Sequence, residues 1–302
     1  MPYNVMITGA GSGFGKLAAL SLVARGHHVF ATMRDVEGRN KEASASLVSE
    51  AMEWVDGSAK TGDLSVIELD VADQKSVDRA IELILSETER IDVLVNNAGL
   101  IGEAGPLEVT GIEPMRKMLD VIVLGAMRVT NSVLPTMRKQ RSGLIVQISS
   151  TTSTHYVPFS TTYTGAKAAC EHIAAGYRYE LAPLGIDSVV VQPGGYETAI
   201  MHKVLKTEHP ELLNEYEDVL PLMKKLEDAY GGISYNKSPS GAQDVADAIV
   251  GLIEMEAGER PFVTVVDETM RHVVDPINEL SDVMQRGLFE ELGVWDDMQL
   301  VK

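Results

Sequence analysis

A tyrosine and a lysine four residues apart, Tyr163 and Lys167, stand in the stretch Tyr163-Thr-Gly-Ala-Lys167. On a helix that spacing puts both side chains on one face, where the ammonium stabilises the phenolate form of its neighbour. A free phenol, ionising near about pH 10, is a poor proton partner at neutral pH. One held beside a fixed cation can both give and take a proton there. Thirteen residues upstream, an apolar run closes on Ile148-Ser149-Ser150. A hydroxyl at Ser150, with Ser149 as the alternative, could donate to an oxygen gaining negative charge, a contact typically worth about 2.7–4 kcal/mol. The three side chains suit proton exchange at a carbonyl or alcohol oxygen, which also requires a hydride donor over the carbon. A Tyr and a Lys four apart occur on many surface helices, so this reading depends on the rest of the chain.

A place for such a donor lies near the N-terminus. The strand-like Val5-Met-Ile-Thr8 runs into Gly9-Ala-Gly11-Ser12-Gly13-Phe14-Gly15 and then the apolar helix beginning Lys16-Leu-Ala-Ala. Strand, glycine turn and helix in this order let backbone approach a pyrophosphate closely, with the helix N-terminus presenting free N–H groups to it. A tight turn with no ligand is the plainer alternative. A second strand ends Ala31-Thr-Met33-Arg34. Met33 cannot accept hydrogen bonds from ribose hydroxyls, whereas Arg34, helped by Ser12, could pair with a 2′-phosphate. NADP(H) is therefore expected in preference to NAD(H), against the alternative of a solvated Arg34 paired with Asp35 or Glu37.

The elements that must position these residues follow from hydrophobic period. Seven β-branched runs, Val5–Thr8, His28–Thr32, Ser65–Leu69, Ile91–Val95, Gly143–Ile148, Asp187–Gln192 and Phe262–Val266, alternate with amphipathic stretches such as Gly15–Arg25, Gln74–Glu87, Pro114–Arg138, Thr164–Leu184 and Ala242–Glu256. The expected fold is α/β, a single-domain Rossmann fold with a doubly wound, seven-stranded parallel sheet spanning residues 1–302. Ligands in such sheets sit beyond the carboxyl ends of the strands, where the motifs fall. Glu53–Gly62 reads as an extra loop. Residues 194–240 break the alternation and read as a lid over a substrate, an ordinary surface insertion being the alternative. Residues 267–302 form an acidic, helical extension without an evident role.

Composition bounds the function. The 302 residues carry 26 Lys and Arg against 44 Asp and Glu, a formal charge of −18. That balance disfavours nucleic acid and anionic membrane surfaces as partners. One cysteine, Cys170, allows neither an internal disulfide nor a multi-cysteine metal site, so no metal is expected. The first residues lack the basic-then-apolar pattern of a signal peptide, and the apolar runs look shorter than the roughly 20 residues that span a bilayer. A cytoplasmic, soluble protein is expected.

With Thr8-Gly9-x-x-x-Gly13-x-Gly15, Asn96-Asn97-Ala98-Gly99, Tyr163-x-x-x-Lys167 and Pro193-Gly194 in this order and spacing, the chain resembles the short-chain dehydrogenase/reductase family over roughly its first 200 residues. The resemblance implies an NADP-linked oxidoreductase acting on CH–OH donors, interconverting a ketone or aldehyde and an alcohol, with Ser150, Tyr163 and Lys167 as catalytic residues. It implies that Asp70 and Val71 hold the adenine, that Asn97, Ala98 and Gly99 border the adenosine ribose, and that Thr198 contacts the nicotinamide amide. Lys167 would hold the nicotinamide ribose. Asp70 could instead cap the helix starting near Gln74.

The chain departs from the family at one point. Where the family commonly has Asp-Val-Asn, this chain has Asp120-Val121-Ile122. Isoleucine has no polar atom with which to hold a water near the lysine, which bears on how Tyr163 is reprotonated. Thr152, His155 and Tyr156 are expected, with Ser150 and Tyr163, to meet a medium-sized, partly apolar small-molecule carbonyl or alcohol. Family members pair through the helices corresponding to Pro114–Arg138 and Thr164–Leu184, implying a homodimer or homotetramer. Two other functions remain open at this stage: an NADP(H)-binding regulator with little turnover, and an epimerase or dehydratase with tightly held cofactor.

Overall fold

The computed structural model describes residues 2–55, 62–202, 204–233 and 240–301. Strands β1 (Asn4–Ile7), β2 (His28–Met33), β3 (Asp63–Glu68) and β4 (Val93–Asn96) alternate with helices α1 (Gly13–Ala24), α2 (Lys41–Val55) and α3 (Gln74–Thr88). A two-residue strand β5 (Ile101–Gly102) precedes α4 (Leu107–Thr110), α5 (Ile112–Met118) and α6 (Ala126–Gln140). Then come β6 (Gly143–Ile148), α7 (Thr161–Leu181), β7 (Ile186–Pro193), the short β8 (Val204–Leu205), α8 (Leu220–Ile233), α9 (Gln243–Glu254), β9 (Val263–Val266) and α10 (Arg271–Glu291).

Seven of these strands form the expected parallel sheet, in the order β3-β2-β1-β4-β6-β7-β9. The strands are legible in sequence because a parallel sheet covered on both faces needs apolar residues on both. β1 shows the principle: Val5 and Ile7 enter one core with Leu20 and Leu22 of α1 and Ile249 of α9, while Met6 enters the other with Val77 of α3 and Val129 of α6. Successive residues of a strand face opposite ways, so β1 alone joins the two helical layers. Strand order reverses between β1 and β4, which opens a crevice at their carboxyl ends.

The helical stretch expected at Pro114–Arg138 is longer and not uniform. Between α5 and α6 the seven residues Leu119–Gly125 form π-helix. Ile122 lies in this wider turn, 1% exposed, in a small core with Met118, Ala166 and Cys170. The whole of Ile112–Gln140 is long and apolar enough to cross a bilayer by length and composition, which corrects the expectation that no stretch is. In the fold its buried face, with Val129, Val133 and Met137, packs into the protein core instead. The loop expected at Glu53–Gly62 begins later, since α2 continues to Val55, and residues 56–61 lie outside the described residues.

The region expected as a lid contains 3-10 turns at Ala199–His202 and Pro210–Tyr216, then α8; residues 203 and 234–239 lie outside the described ones. The pairing of β5 with β8, Ile101 with Val204 and Gly102 with Leu205, ties this region to the chain just after β4. The C-terminal extension forms α10, which lies on the body through Val274 and an edge-on contact of Phe289 with Tyr179, ring centroids 4.8 Å apart. The same helix exposes Leu280, Val283 and Met284.

Candidate active site

The switch point between β1 and β4 is locked before any side chain meets a ligand. The Thr8 hydroxyl accepts from the backbone N–H groups of Asn97 and Ala98, both at 3.0 Å. The Asn97 amide in turn donates to Thr8 O at 2.8 Å and Gly9 O at 3.1 Å. Two of the glycines answer to this lock. Gly9 has φ +68°, and a Cβ there would come within 3.0 Å of Ala98 Cα; a Cβ on Gly15 would stand 2.5 Å from Asn97 Nδ2.

Beyond the lock lies a cavity of about 560 Å3. It gathers Gly9, Gly11, Ser12, Gly13 and Phe14 from the loop, Arg34, Asp70 and Val71 from the ends of β2 and β3, and Asn97, Ala98 and Gly99 after β4. Ser150, Thr152, His155, Tyr163, Lys167, Pro193, Gly194 and Thr198 line it too. Two expected residues are not brought there. Gly15 is buried behind the loop, where its missing side chain makes room for Asn97. Tyr156 is 98% exposed and outside the lining, because it sits at the outer tip of the loop after β6.

The glycine loop fits a dinucleotide. Ser12 precedes α1 without a side-chain cap and the first turn carries no acidic residue, so the helix N-terminus is left to an anion. Arg34, half-exposed, has its nearest anionic partner in Asp70, 3.8 Å away, rather than in Asp35 or Glu37; Asp35 faces Arg39 instead. Asp70 does not cap α3, since that bond is made by Asp73 to Lys75 N. Its carboxylate accepts from Ala72 N at 3.0 Å and lines the cavity.

In the reactive corner, α7 places Tyr163 and Lys167 on one face, with the ammonium 5.8 Å from the phenol ring centroid. Lys167 is buried and donates to Ile148 O at 2.8 Å. The Ser150 hydroxyl accepts from Thr152 N at 3.2 Å and from Thr152 Oγ1 at 2.9 Å. A hydroxyl has two lone pairs and one proton. With both acceptor sites engaged, the Ser150 proton is the part left for a ligand. Ser149, the sequence alternative, lines the cavity as well, but its proton is given to Glu171 at 2.7 Å. Among the described residues neither ring nitrogen of His155 has a hydrogen bond of good geometry, and burial, outweighing the nearby Thr151 backbone, pushes its pKa below the usual histidine value, which favours the neutral ring.

Among the lining residues that the sequence reading did not place at the site are Asn40, Ala43, Leu69, Val121, Ile148 and Met270. Met270 comes from the C-terminal extension, beside Asp267, whose carboxylate stands where a Cβ on Gly194 would be. Nothing local announces Met270; the return of β9 to the sheet edge brings it to the cavity.

The family model described as short chain dehydrogenase matches residues 3–209. The chain belongs to that family. Among short-chain dehydrogenases, it is similar to the 3-ketodihydrosphingosine reductase of Bacteroides thetaiotaomicron, 34% identical over 197 residues, and to human 17-beta-hydroxysteroid dehydrogenase type 1, 34% identical over 220 residues. These matches cover 65% and 71% of this chain, and the chain spans just under two thirds of those relatives, 65% and 62% of their lengths. A short-chain dehydrogenase structure from Streptomyces avermitilis aligns over 99% of this chain and all of its own, with 27% identity and a TM-score of 0.72. The structure of ElxO with NADP bound aligns over 88% of this chain and 98% of its own, with 29% identity and a TM-score of 0.68.

Proposed function

We propose that the protein is an NADP(H)-dependent oxidoreductase that interconverts a ketone or aldehyde and an alcohol, with Tyr163 as general acid and base. The observation that carries this reading is the meeting of Ser150, Tyr163 and Lys167 in one cavity with the glycine loop and Arg34. The loop Gly9–Phe14 and the α1 N-terminus would hold the pyrophosphate, Arg34 the 2′-phosphate, Asp70 and Val71 the adenine, and Asn97–Gly99 the adjoining ribose. Pro193, Gly194 and Thr198 would border the nicotinamide, which when bound supplies or accepts the hydride. NAD(H) is the second choice, as Arg34 offers no acceptor to ribose hydroxyls.

The protein's own groups manage the oxygen. Ser150 directs its free proton to the carbonyl oxygen and steadies the charge growing there. Tyr163 gives its proton to that oxygen in reduction and takes it back in oxidation. Lys167 has three N–H donors, of which Ile148 O engages one; the others are available to the ribose and to the phenolate. Ile122, buried among apolar groups, leaves reprotonation of Tyr163 to another route; the first proton transfer needs only the residues present.

The substrate is a small, partly apolar carbonyl or alcohol compound, bordered by Thr152 and His155, with residues 194–240 as its lid. The cell compartment proposed is the cytoplasm and the assembly a homodimer or homotetramer. The decisive experiment follows NADPH oxidation with a panel of ketones, aldehydes and steroids, comparing the wild type with Tyr163→Phe and NADH with NADPH. Turnover lost in Tyr163→Phe with NADPH still bound supports the reading. NADPH binding without turnover on any substrate would turn it towards a regulatory binding protein, and tightly co-purifying cofactor without net NADPH consumption towards an epimerase or dehydratase.

A further inference from the structure

The loop that carries Ser150 is held from behind by a residue outside the proposed chemistry. Glu171 lies two turns beyond Tyr163 and one beyond Lys167 on α7, so all three share a helix face. One carboxylate oxygen accepts from the hydroxyls on either side of Ser150, Ser149 at 2.7 Å and Ser153 at 2.6 Å. The Ser153 hydroxyl also lies 2.6 Å from the Ser150 carbonyl oxygen. The other carboxylate oxygen accepts from Gln192 Nε2 at 2.8 Å, and the Gln192 carbonyl accepts from Asn278 Nδ2 of α10, also at 2.8 Å. A chain of hydrogen bonds thus runs from the C-terminal helix, through β7 and α7, to both flanks of Ser150.

From this we infer that Glu171 is a positioning residue, which fixes the Ser150 hydroxyl relative to Tyr163, and that Asn278 gives the C-terminal helix a part in the same clamp. Both partners of the reacting oxygen are referred to one rigid element: Tyr163 sits on α7 directly, and Ser150 is tied to α7 by Glu171. The inference rests on Ser150 acting as proposed above. A displacement near 1 Å of an orienting group costs on the order of 100-fold in rate, so the clamp acts on kcat rather than on cofactor binding.

The test is a double-mutant cycle with NADPH and the best ketone of the panel. Glu171→Met, similar in size but with no acceptor, is expected to lower kcat by about 10- to 100-fold while the NADPH Kd, read by cofactor fluorescence, stays within about twofold. Glu171→Gln should restore most of the rate, because its one carbonyl can still receive both serines once the Gln192 and Asn278 amides turn over. In a Ser150→Ala background, Glu171→Met should cost less than about twofold, the signature of one residue acting through another. An unchanged kcat in Glu171→Met, or the same fold loss with and without Ser150, overturns the inference. Should Glu171→Met not fold, Ser153→Ala, which keeps the carboxylate, enters the same cycle. If the wild type turns over no substrate, the proposed activity fails, and a crystal structure of the variant decides the clamp separately. A displaced 149–153 loop upholds it; a Ser150 hydroxyl in its original place refutes it.

Discussion

Replacing Gly15 by alanine tests whether this glycine serves the lock between β1 and β4 rather than the ligand directly. The new Cβ would stand 2.5 Å from Asn97 Nδ2, 2.9 Å from Gly9 O and 3.1 Å from Ala10 Cα. To reach an ordinary contact the Asn97 amide must withdraw by nearly an ångström, on the order of the slack between a hydrogen bond and none. That motion breaks its bonds to Thr8 O and Gly9 O. Two such bonds are worth about 1–3 kcal/mol, and overpacking costs about 1–3 kcal/mol more. Alanine in place of glycine in a helix returns about 1 kcal/mol. The net loss is about 3 kcal/mol, a fall in Tm of roughly 6–12 °C at the 2–4 °C per kcal/mol expected for a domain of this size. Scanning calorimetry reads the stability, and NADPH fluorescence titration should show at least about tenfold weaker binding, since the loop that faces the phosphates loses its backing. Gly251→Ala is the control: it lies in α9 with nothing within 4 Å of its Cβ position, so Tm should rise. A Gly15→Ala protein with unchanged Tm and NADPH affinity would refute the reasoning.

Three further outcomes are expected. Arg34→Ala should weaken NADPH binding by about 10- to 100-fold, the worth of a charged hydrogen bond, and leave NADH within about threefold; an equal loss for both cofactors would remove Arg34 as selector. Asp187, buried between Arg178 at 3.2 Å and Arg260 at 3.3 Å, holds two guanidinium groups of which Arg260 is itself buried. Its replacement by alanine should cost about 3–5 kcal/mol in guanidinium chloride unfolding, and a loss under about 1 kcal/mol would contradict that account. Burial pushes the Cys170 thiol up to about 11, so at pH 8 only about one molecule in a thousand carries the reactive thiolate. Because deprotonation is displaced to higher pH, iodoacetamide should leave the folded protein unlabelled from pH 7 to 9 and label it promptly in urea; labelling of the folded protein at the rate of a free cysteine would count against this burial.

Much of the architecture was legible because a doubly covered parallel sheet writes itself locally. Runs such as Val189-Val190-Val191 are 0% exposed on both faces, and such strands read as unbroken apolar segments. β5 and β8 were not legible, as two residues carry no period and their pairing joins Ile101 to Val204 across the fold. The π-helical turn at Leu119–Gly125 was equally silent, because the apolar pattern continues through it. Tyr156 lies outside the cavity lining for a simpler reason: residues close in sequence to Ser150 need not share its side of a loop.

By itself the sequence determined the order of elements, the glycine loop and the pairing of Tyr163 with Lys167, since each depends on spacings within one element or one turn. The tertiary structure decided which of two adjacent hydroxyls in the cavity lining has its proton bound by the protein. Ser149 and Ser150 are chemically alike, and they are told apart by Glu171, which takes the proton of Ser149, and by Thr152, which donates twice to Ser150. It likewise decided that Met270 borders the cavity and that Asn278 reaches the support of Ser150. Those contacts are made between segments far apart in the chain, where only the closing of the sheet sets the distance.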